Sequence, residues 1–511
     1  MCWRALLLCL FLVTTLSAAH GAPVDHRSTG LQLPKRRPNI VVFLVDDMGW
    51  QDTSVPFYSE RTPFNDRYYT PNMQTLAAAG MKFTNAYAAC VCSPTRVSIM
   101  TGQNPARHGV TNWTLFKDKD QSGKHPTLLP PPDWNVNSLQ PDDITLPRLL
   151  KSAGYRTIHV GKAHWGAKGT PGEDPRALGF DVNIAGHAAG GPGSYLGTQN
   201  FSAAWRGGGH IWDVPGLEKY YGRDIFLTEA LTIEANAQLD RAVADGVPFY
   251  LYMSHYAVHA PITGDHRYLQ KYLDAGLDKI EARYASMIEG MDASLGEIMA
   301  NLKRHHIADN TIIIFLSDNG GLSAHGRGGQ KHTHNKPLKS GKGSSYEGGV
   351  RVPMIVVWPG VVEPGSVSNV PVICEDVFPT VLSIAGVEIP SDYQGKVDGR
   401  DITPILKMTG GFDADRPLYW HYPHVWGVAG PGIAPYSAIR QGDWKLIYFY
   451  ADRRYELYDL SKDIGEHHNL VARRKDVVKR LAGRLKTYLK RVHAPMPVWK
   501  DSGKRAELAA P

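Results

Sequence analysis

Five separated segments carry residues whose types could do chemistry together. Asp46-Asp47 and Ser317-Asp318-Asn319-Gly320 offer carboxylate and amide oxygens. Lys162/His164 and His255/His259 offer cations and imidazoles, and Cys92-Ser93-Pro94-Thr95-Arg96 offers a thiol and a guanidinium. Asp46, Asp47, Asp318 and Asn319 form an all-oxygen set, which selects a hard cation, and several carboxylates in a flexible cluster favour Ca²⁺ over Mg²⁺. A zinc site would be expected to include His or Cys, and His325, His332 and His334 fit no common zinc spacing. Cys92 stands where a turn opens a helix, with Ser93 read as N-cap, Pro94 as the first helical residue and Thr101-Gly102 as the end. A thiol there lies at the positive helix end, where thiolates and anions are favoured; the alternative is a buried, inert cysteine.

The elements that must position these groups are legible from hydrophobic pattern. Asn39–Val45 is a continuous, β-branched apolar run, which reads as a strand buried on both faces. Tyr155–Val160, Val247–Met253 and Thr311–Leu316 read as strands, with Val352–Trp358 a further one. Four of them end in the polar groups above. Ligands bind beyond the carboxyl ends of the strands in open α/β sheets, so parallel pairing would bring all four groups to one edge. Helices are expected near Asn72–Ala79, Asp142–Leu150 and Asp224–Ala242. Another runs through Ile280, Tyr284, Met287, Met291, Leu295, Ile298 and Leu302, which recur at helical spacing. The glycine-rich run His187–Gly193 either approaches an anion or serves as turns. Residues 322–349, with Lys336, Lys339 and Lys342, form a loop long enough to suggest function. From about Arg416 the pattern changes to short strands at Ser437–Arg440, Trp444–Tyr450 and Tyr455–Leu460. A terminal helix follows at Val477, Val478, Leu481, Leu485 and Leu489, its basic residues read as a solvated face.

A length of 511 residues suits one large α/β domain plus a smaller one. The boundaries read as signal segment 1–21, linker 22–37, catalytic domain 38–415 and C-terminal subdomain 416–511. Arg4, the apolar run Ala5–Val13 and Ala19-His20-Gly21 fit a secretory signal, so the expected location is secreted or periplasmic, or lysosomal in a eukaryote. That run is short for a membrane span, and no stable span is expected. A net charge of +7 suits an anionic substrate without requiring one, and no nucleic-acid motif is present. Cys2 and Cys9 fall in the signal, and Cys90 and Cys374 could pair or stay buried. Asn112 and Asn200 fit the glycosylation pattern.

Taken in order, the segments resemble the type I, formylglycine-dependent sulfatases, of the arylsulfatase and N-acetylgalactosamine-sulfatase kind. Cys92-x-Pro94-x-Arg96 with Thr101-Gly102 is similar to their signature, and Asp46-Asp47 to their first metal pair. Gly161-Lys162-Ala163-His164 resembles their Gly-Lys-x-His motif, with Ala163 and Trp165 in place of the commoner Trp and Leu. His259-Ala260-Pro261 resembles the active-site histidine before proline, and Ser317–Gly320 the second metal pair. Gly341-Lys342-Gly343 ahead of Tyr346–Arg351 resembles the catalytic-lysine segment, and Asp443–Leu446 and Glu456–Leu460 the C-terminal subdomain.

The resemblance implies an α/β, alkaline-phosphatase-like fold: a large sheet sandwiched by helices, with a smaller C-terminal antiparallel sheet plus helix. It implies hydrolysis of sulfate monoesters on sulfated sugars, with galactose or N-acetylgalactosamine units favoured. One Ca²⁺ would be held by Asp46, Asp47, Asp318, Asn319 and the residue at position 92. A separate formylglycine-generating enzyme would oxidise Cys92. Arg96, Lys162 and Lys342 would offset the sulfate charge, each contributing about 3 kcal/mol when preorganised. One hydroxyl of the formylglycine hydrate would attack sulfur in line, while Arg96 orients the hydrate. His259, with Lys342, would protonate the leaving oxygen, and His164 would deprotonate the second hydroxyl to expel sulfate. His187 and Lys339 would touch substrate. The competing readings are a phosphomonoester or phosphonate hydrolase of the same superfamily, and a non-catalytic sulfated-glycan-binding protein. The aromatic run Tyr419–Trp426 either lines the pocket or packs between domains.

Overall fold

Alternate residues of strand Asn39–Val45 enter two different cores. Ile40, Val42 and Leu44 pack on one face of the sheet, and Val41, Phe43 and Val45 on the other. This two-sided burial is why the run is apolar throughout rather than alternating. The computed structural model describes residues 37–324 and 326–510; the expected signal segment, the linker up to residue 36 and His325 lie outside the described residues.

Asn39–Val45 sits between Phe249–Ser254 and Thr311–Ser317, parallel to both, and Arg156–Gly161 lies parallel beyond Phe249–Ser254. The register sets Val45 opposite Ser317, and both Leu44 and Gly161 opposite Ser254. Asp46, Lys162, His255 and Asp318 therefore leave the sheet at one edge. The eight-stranded sheet is completed by Val182–Ile184 on one side and by Met354–Val357, Met81–Phe83 and Ser366–Ser368 on the other. Met354–Val357 runs antiparallel to both its neighbours, so the sheet is mixed.

Helices Leu227–Ala244 and Lys279–Arg304 cover the face that takes Val41 and Phe43. Asp278 caps the second by accepting from the backbone N–H of Ile280 and Glu281. Its apolar stripe is as expected except at Ile280, which is 43% exposed in the first turn. The helix expected at Asp142–Leu150 runs instead from Leu146 to Ser152, with Pro147 in its first turn; Asp143 is spent on a turn with Gln140. The helix expected at Asp224–Ala242 is Leu227–Ala244.

The C-terminal sheet pairs Leu418–Tyr422, Tyr436–Gln441, Trp444–Phe449 and Arg454–Asp459 in antiparallel order. Its first strand comes from the aromatic run that sequence left undecided. Helix Lys475–Arg491 buries Val478, Leu481 and Leu485 against Ile439, Leu446 and Leu457 of this sheet. On the sheet's other face buried Lys445 places its ammonium 2.8 Å from Glu347, earlier in the chain, and 3.0 Å from Glu466.

Cys90 and Cys374 remain unpaired and buried. Asn112 is buried, donating to Ser122 Oγ and accepting from Tyr422 Oη, so its amide is not available for glycosylation in the folded chain. Asn200 is exposed. Among the described residues no helix is long and apolar enough to cross a membrane.

Candidate active site

Cys92 is the first residue of helix Cys92–Thr101, preceded by Val91 in extended conformation. Ser93 does not cap this helix, contrary to expectation; its hydroxyl accepts from the backbone N–H of Thr114, and Thr95 accepts from that of Ala89. The helix ends as expected at Gly102, whose φ of 70° places it in the left-handed region. Cys92 Sγ faces His164 Nδ1 at 3.3 Å. His164 Nε2 lies 2.8 Å from the carbonyl of Thr114, which can only accept, so Nε2 carries the proton and Nδ1 offers its lone pair to position 92. Burial, reinforced by Lys162, holds this imidazole neutral, well below its ordinary pKa.

Asp46, Asp47 and Asp318 are fully buried and offer oxygens all within 4.8 Å of one another. Asn319 donates its amide N–H to Asp47 Oδ1 at 2.8 Å, which leaves Asn319 Oδ1 free to accept a cation. That oxygen, Asp46 Oδ1 and Asp47 Oδ2 are buried without a hydrogen-bond partner. Burial and the facing Asp318 push the Asp46 carboxyl well above the usual carboxylate range, despite Lys162. Three buried acids and orphaned oxygens alone are a costly arrangement, and a hard divalent cation satisfies it with the donor set it prefers. The residues present thus fit such an ion.

Three cations and one neutral imidazole surround the acids at one remove. Lys162 Nζ lies 2.6 Å from Asp46 and Lys342 Nζ 2.5 Å from Asp47. Arg96 donates from Nε to Asp318 at 2.9 Å and from Nη1 to the Lys162 carbonyl and Ser254 Oγ, at 2.9 and 2.6 Å. Burial works against both the Lys342 ammonium and the Arg96 guanidinium, yet the acids hold each above its ordinary pKa. His259 supplies the fourth group. Its Nδ1–H donates to the Ala260 carbonyl at 2.7 Å, leaving Nε2 facing Asp47 at 3.8 Å, and burial lowers its pKa to about 3.

Asp47, Cys92, His164, His259 and Lys342 line one cavity of about 270 Å³, walled further out by Trp113, Trp212 and Trp426. Asp47 and His164 are held with positive φ, 63° and 59°, a strained conformation for residues other than glycine that concentrates at functional sites. The glycine-rich loop also backs the two imidazoles. A Cβ on Gly190 would come within 2.4 Å of the His164 ring, and one on Gly191 within 2.8 Å of the His259 ring. Only glycines let this loop hold both imidazoles in place.

Some expected residues are elsewhere. His255 packs in the core 5.2 Å from the Phe43 ring and bonds Ser294 Oγ; its neighbour Ser254, at the strand end, reaches the site instead. His187 gives its carbonyl to the His164 N–H, but its ring lines a neighbouring cavity rather than that of Cys92. Lys339 does not line the Cys92 cavity: its ammonium donates to the Glu466 carbonyl and sits 3.8 Å from the Tyr346 ring. Trp113, Trp212, the Thr114 carbonyl and Ser254 were not singled out from sequence, because nothing in their local pattern distinguishes them. Of the aromatic run, Trp426 lines the cavity while Tyr419 stacks on Tyr488.

The sulfatase family model matches residues 38–387, and that of the N-sulphoglucosamine sulphohydrolase C-terminal region matches residues 341–494. A sulfatase from Formosa agariphila is 32% identical over 516 residues, covering 91% of each chain. The N-acetylgalactosamine-6-sulfatase of Mus musculus is 33% identical over 395 residues, covering 75% of this chain and 68% of its own. The crystal structure of Ps i-CgsB in complex with k-i-k-neocarrahexaose superposes with a TM-score of 0.71 at 26% identity, covering 89% of this chain and 93% of that one.

Proposed function

The chain belongs to the sulfatase family and is a sulfuric ester hydrolase, and from that premise we propose that it removes sulfate from sugar units through a formylglycine made from Cys92, with Ca²⁺ held by Asp46, Asp47, Asp318 and Asn319. The observation that carries this reading is the shared cavity in which Cys92, His164, His259, Lys342 and Asp47 meet. The relatives named for galactosamine sulfate and the structure holding a carrageenan hexasaccharide favour a galactose-type unit. The three indoles walling the cavity supply flat apolar faces of the kind that stack on sugar rings.

The cation would supply positive charge where a sulfate group binds, and formylglycine would supply two geminal hydroxyls at position 92. The chain's own residues do the rest. Arg96, Lys162 and Lys342 offset the ester's negative charge, which otherwise repels a nucleophile. Lys342 retains its protons and lines the same cavity as His259, so Lys342 supplies the proton that the leaving sugar oxygen needs, with the His259 imidazole alongside. His164 Nδ1, unprotonated and aimed at position 92, accepts the proton whose removal expels sulfate.

Expression together with a formylglycine-generating enzyme tests the proposal. Mass spectrometry of the peptide carrying Cys92 should show sulfur lost and oxygen gained, in step with release of sulfate from galactose and N-acetylgalactosamine sulfates. Full activity of protein whose Cys92 is unmodified would falsify it. Aryl phosphate, assayed in parallel, should be the poorer substrate.

A further inference from the structure

A second cleft, of about 560 Å³, shares no lining residue with the cavity of Cys92. It opens where the Leu418–Tyr422 strand and helix Lys475–Arg491 meet residues 394–400. Four arginines line it, Arg107, Arg400, Arg416 and Arg491, against two acids, Asp398 and Glu375. Asp398 is spent on Arg107, which grips it with Nε at 2.7 Å and Nη2 at 2.8 Å. Glu375 accepts from Asn104 Nδ2 at 2.6 Å. Arg416 pairs its Nη atoms with Asp376, which is not in the lining, while its buried Nε has no partner. The Tyr488 hydroxyl, on a side chain 3% exposed, also has no partner. Arg400 and Arg491 are exposed, and among the described residues neither guanidinium has a carboxylate partner; that of Arg491 lies 5.4 Å from the Tyr488 ring.

The unsatisfied groups in this lining are thus donors, and the surplus charge is positive. Buried donors without acceptors are costly, and an anionic group with several acceptor oxygens satisfies them. The cleft's volume is that of pockets for ligands much larger than an inorganic anion. We infer that this cleft is a second glycan-binding site, in which sulfate groups on a sugar chain meet Arg400, Arg416, Arg491 and Tyr488 at a distance from the ester being hydrolysed. The inference rests on the sulfated-sugar reading above and extends it from single units to chains. Arginine serves here because its planar fork matches the oxygens of a tetrahedral anion.

The test uses full-length protein carrying Cys92→Ser, so that binding is read without turnover, and chondroitin sulfate as the probe. Arg400→Glu with Arg491→Glu should weaken binding about tenfold or more, and Tyr488→Phe, which removes only a hydroxyl, about threefold. In the catalytically competent protein the paired arginine substitutions should raise KM for the polymer while kcat and KM for an aryl sulfate stay unchanged. Unchanged binding in both variants, with thermal unfolding as in the parent, would overturn the inference. So would displacement of the polymer by an equal concentration of inorganic sulfate, since the cleft would then hold only the free anion. Because the binding arm needs no hydrolysis, failure of the proposed reaction would leave it readable.

Discussion

Cys92 Sγ and His164 Nδ1 lie 3.3 Å apart, and the second nitrogen of that ring is committed to the Thr114 carbonyl. The imidazole therefore has one available lone pair, directed at the reacting position. Replacing His164 with Ala should leave the first half of the reaction largely intact and stop the second. With an aryl sulfate, the expected result is one equivalent of phenol released in a burst, followed by turnover slowed about 10²- to 10⁴-fold. Steady release of phenol and sulfate at the parent rate would remove His164 from this role.

Gly190 and Gly191 back the two imidazoles so closely that a methyl group cannot be added without moving a ring. Gly190→Ala should displace His164 by a fraction of an ångström to about 1 Å, which is enough to cost on the order of 10²-fold in kcat. The matching measurement is kcat together with the thermal midpoint. A large loss of activity with a small shift in midpoint identifies positioning rather than unfolding, and an unaffected kcat contradicts the contact.

Three buried carboxylates converge in the site, and burial with Asp318 raises Asp46 well above its ordinary pKa. A divalent cation that binds only the folded chain should stabilise it by about 2.7 kcal/mol at one hundred times its Kd. Chelation should lower the unfolding midpoint and abolish sulfate release, and Ca²⁺ should restore both better than Zn²⁺. In Asp318→Asn protein the Ca²⁺-dependent rise in midpoint should largely disappear. Equal stability with and without chelator in the parent would exclude a cation held by this cluster.

Burial of Glu375 raises its pKa from 4.5 to about 7, helped by nearby Asp376. A carboxyl raised on folding contributes stability that is fully present below its unfolded pKa and lost as pH rises through the folded value. The relevant window is therefore about pH 4.5 to 7. A shift of that size corresponds to roughly 3 kcal/mol. Glu375→Gln should flatten this dependence, so that the variant gains on the parent as pH rises from 5 to 8 in denaturant titrations. Parallel pH profiles for the two proteins would count against a neutral buried Glu375.

Much of the fold was readable because burial on both faces leaves an unambiguous mark. Asn39–Val45 and Thr311–Leu316 are continuous apolar runs that end in acids, and both are central strands whose ends deliver those acids to the site. Boundaries were less secure where caps decide them. Asp142-Asp143 looked like a helix start, but Asp143 closes a turn and the helix waits for Pro147. The His259-Ala260-Pro261 motif set His259 apart, but nothing local showed that His255 turns to the core while its neighbour Ser254 reaches the site, since one residue of offset at a strand end reverses which side chain faces the core.

By itself the sequence determined the order of the chemistry along the chain: an acid pair, thiol, lysine, imidazoles and an acid with an amide, each tied to an element whose pattern local physics reads. That held because periodicity, capping and buried runs are local properties of the chain. Only the tertiary structure decided which groups touch, that His164 presents Nδ1, that Gly190 and Gly191 brace the two rings, and that Lys339 is occupied elsewhere. Those outcomes depend on contacts between residues tens to hundreds of positions apart, where a difference of one ångström or one bond rotation selects the partner, and no local pattern encodes that.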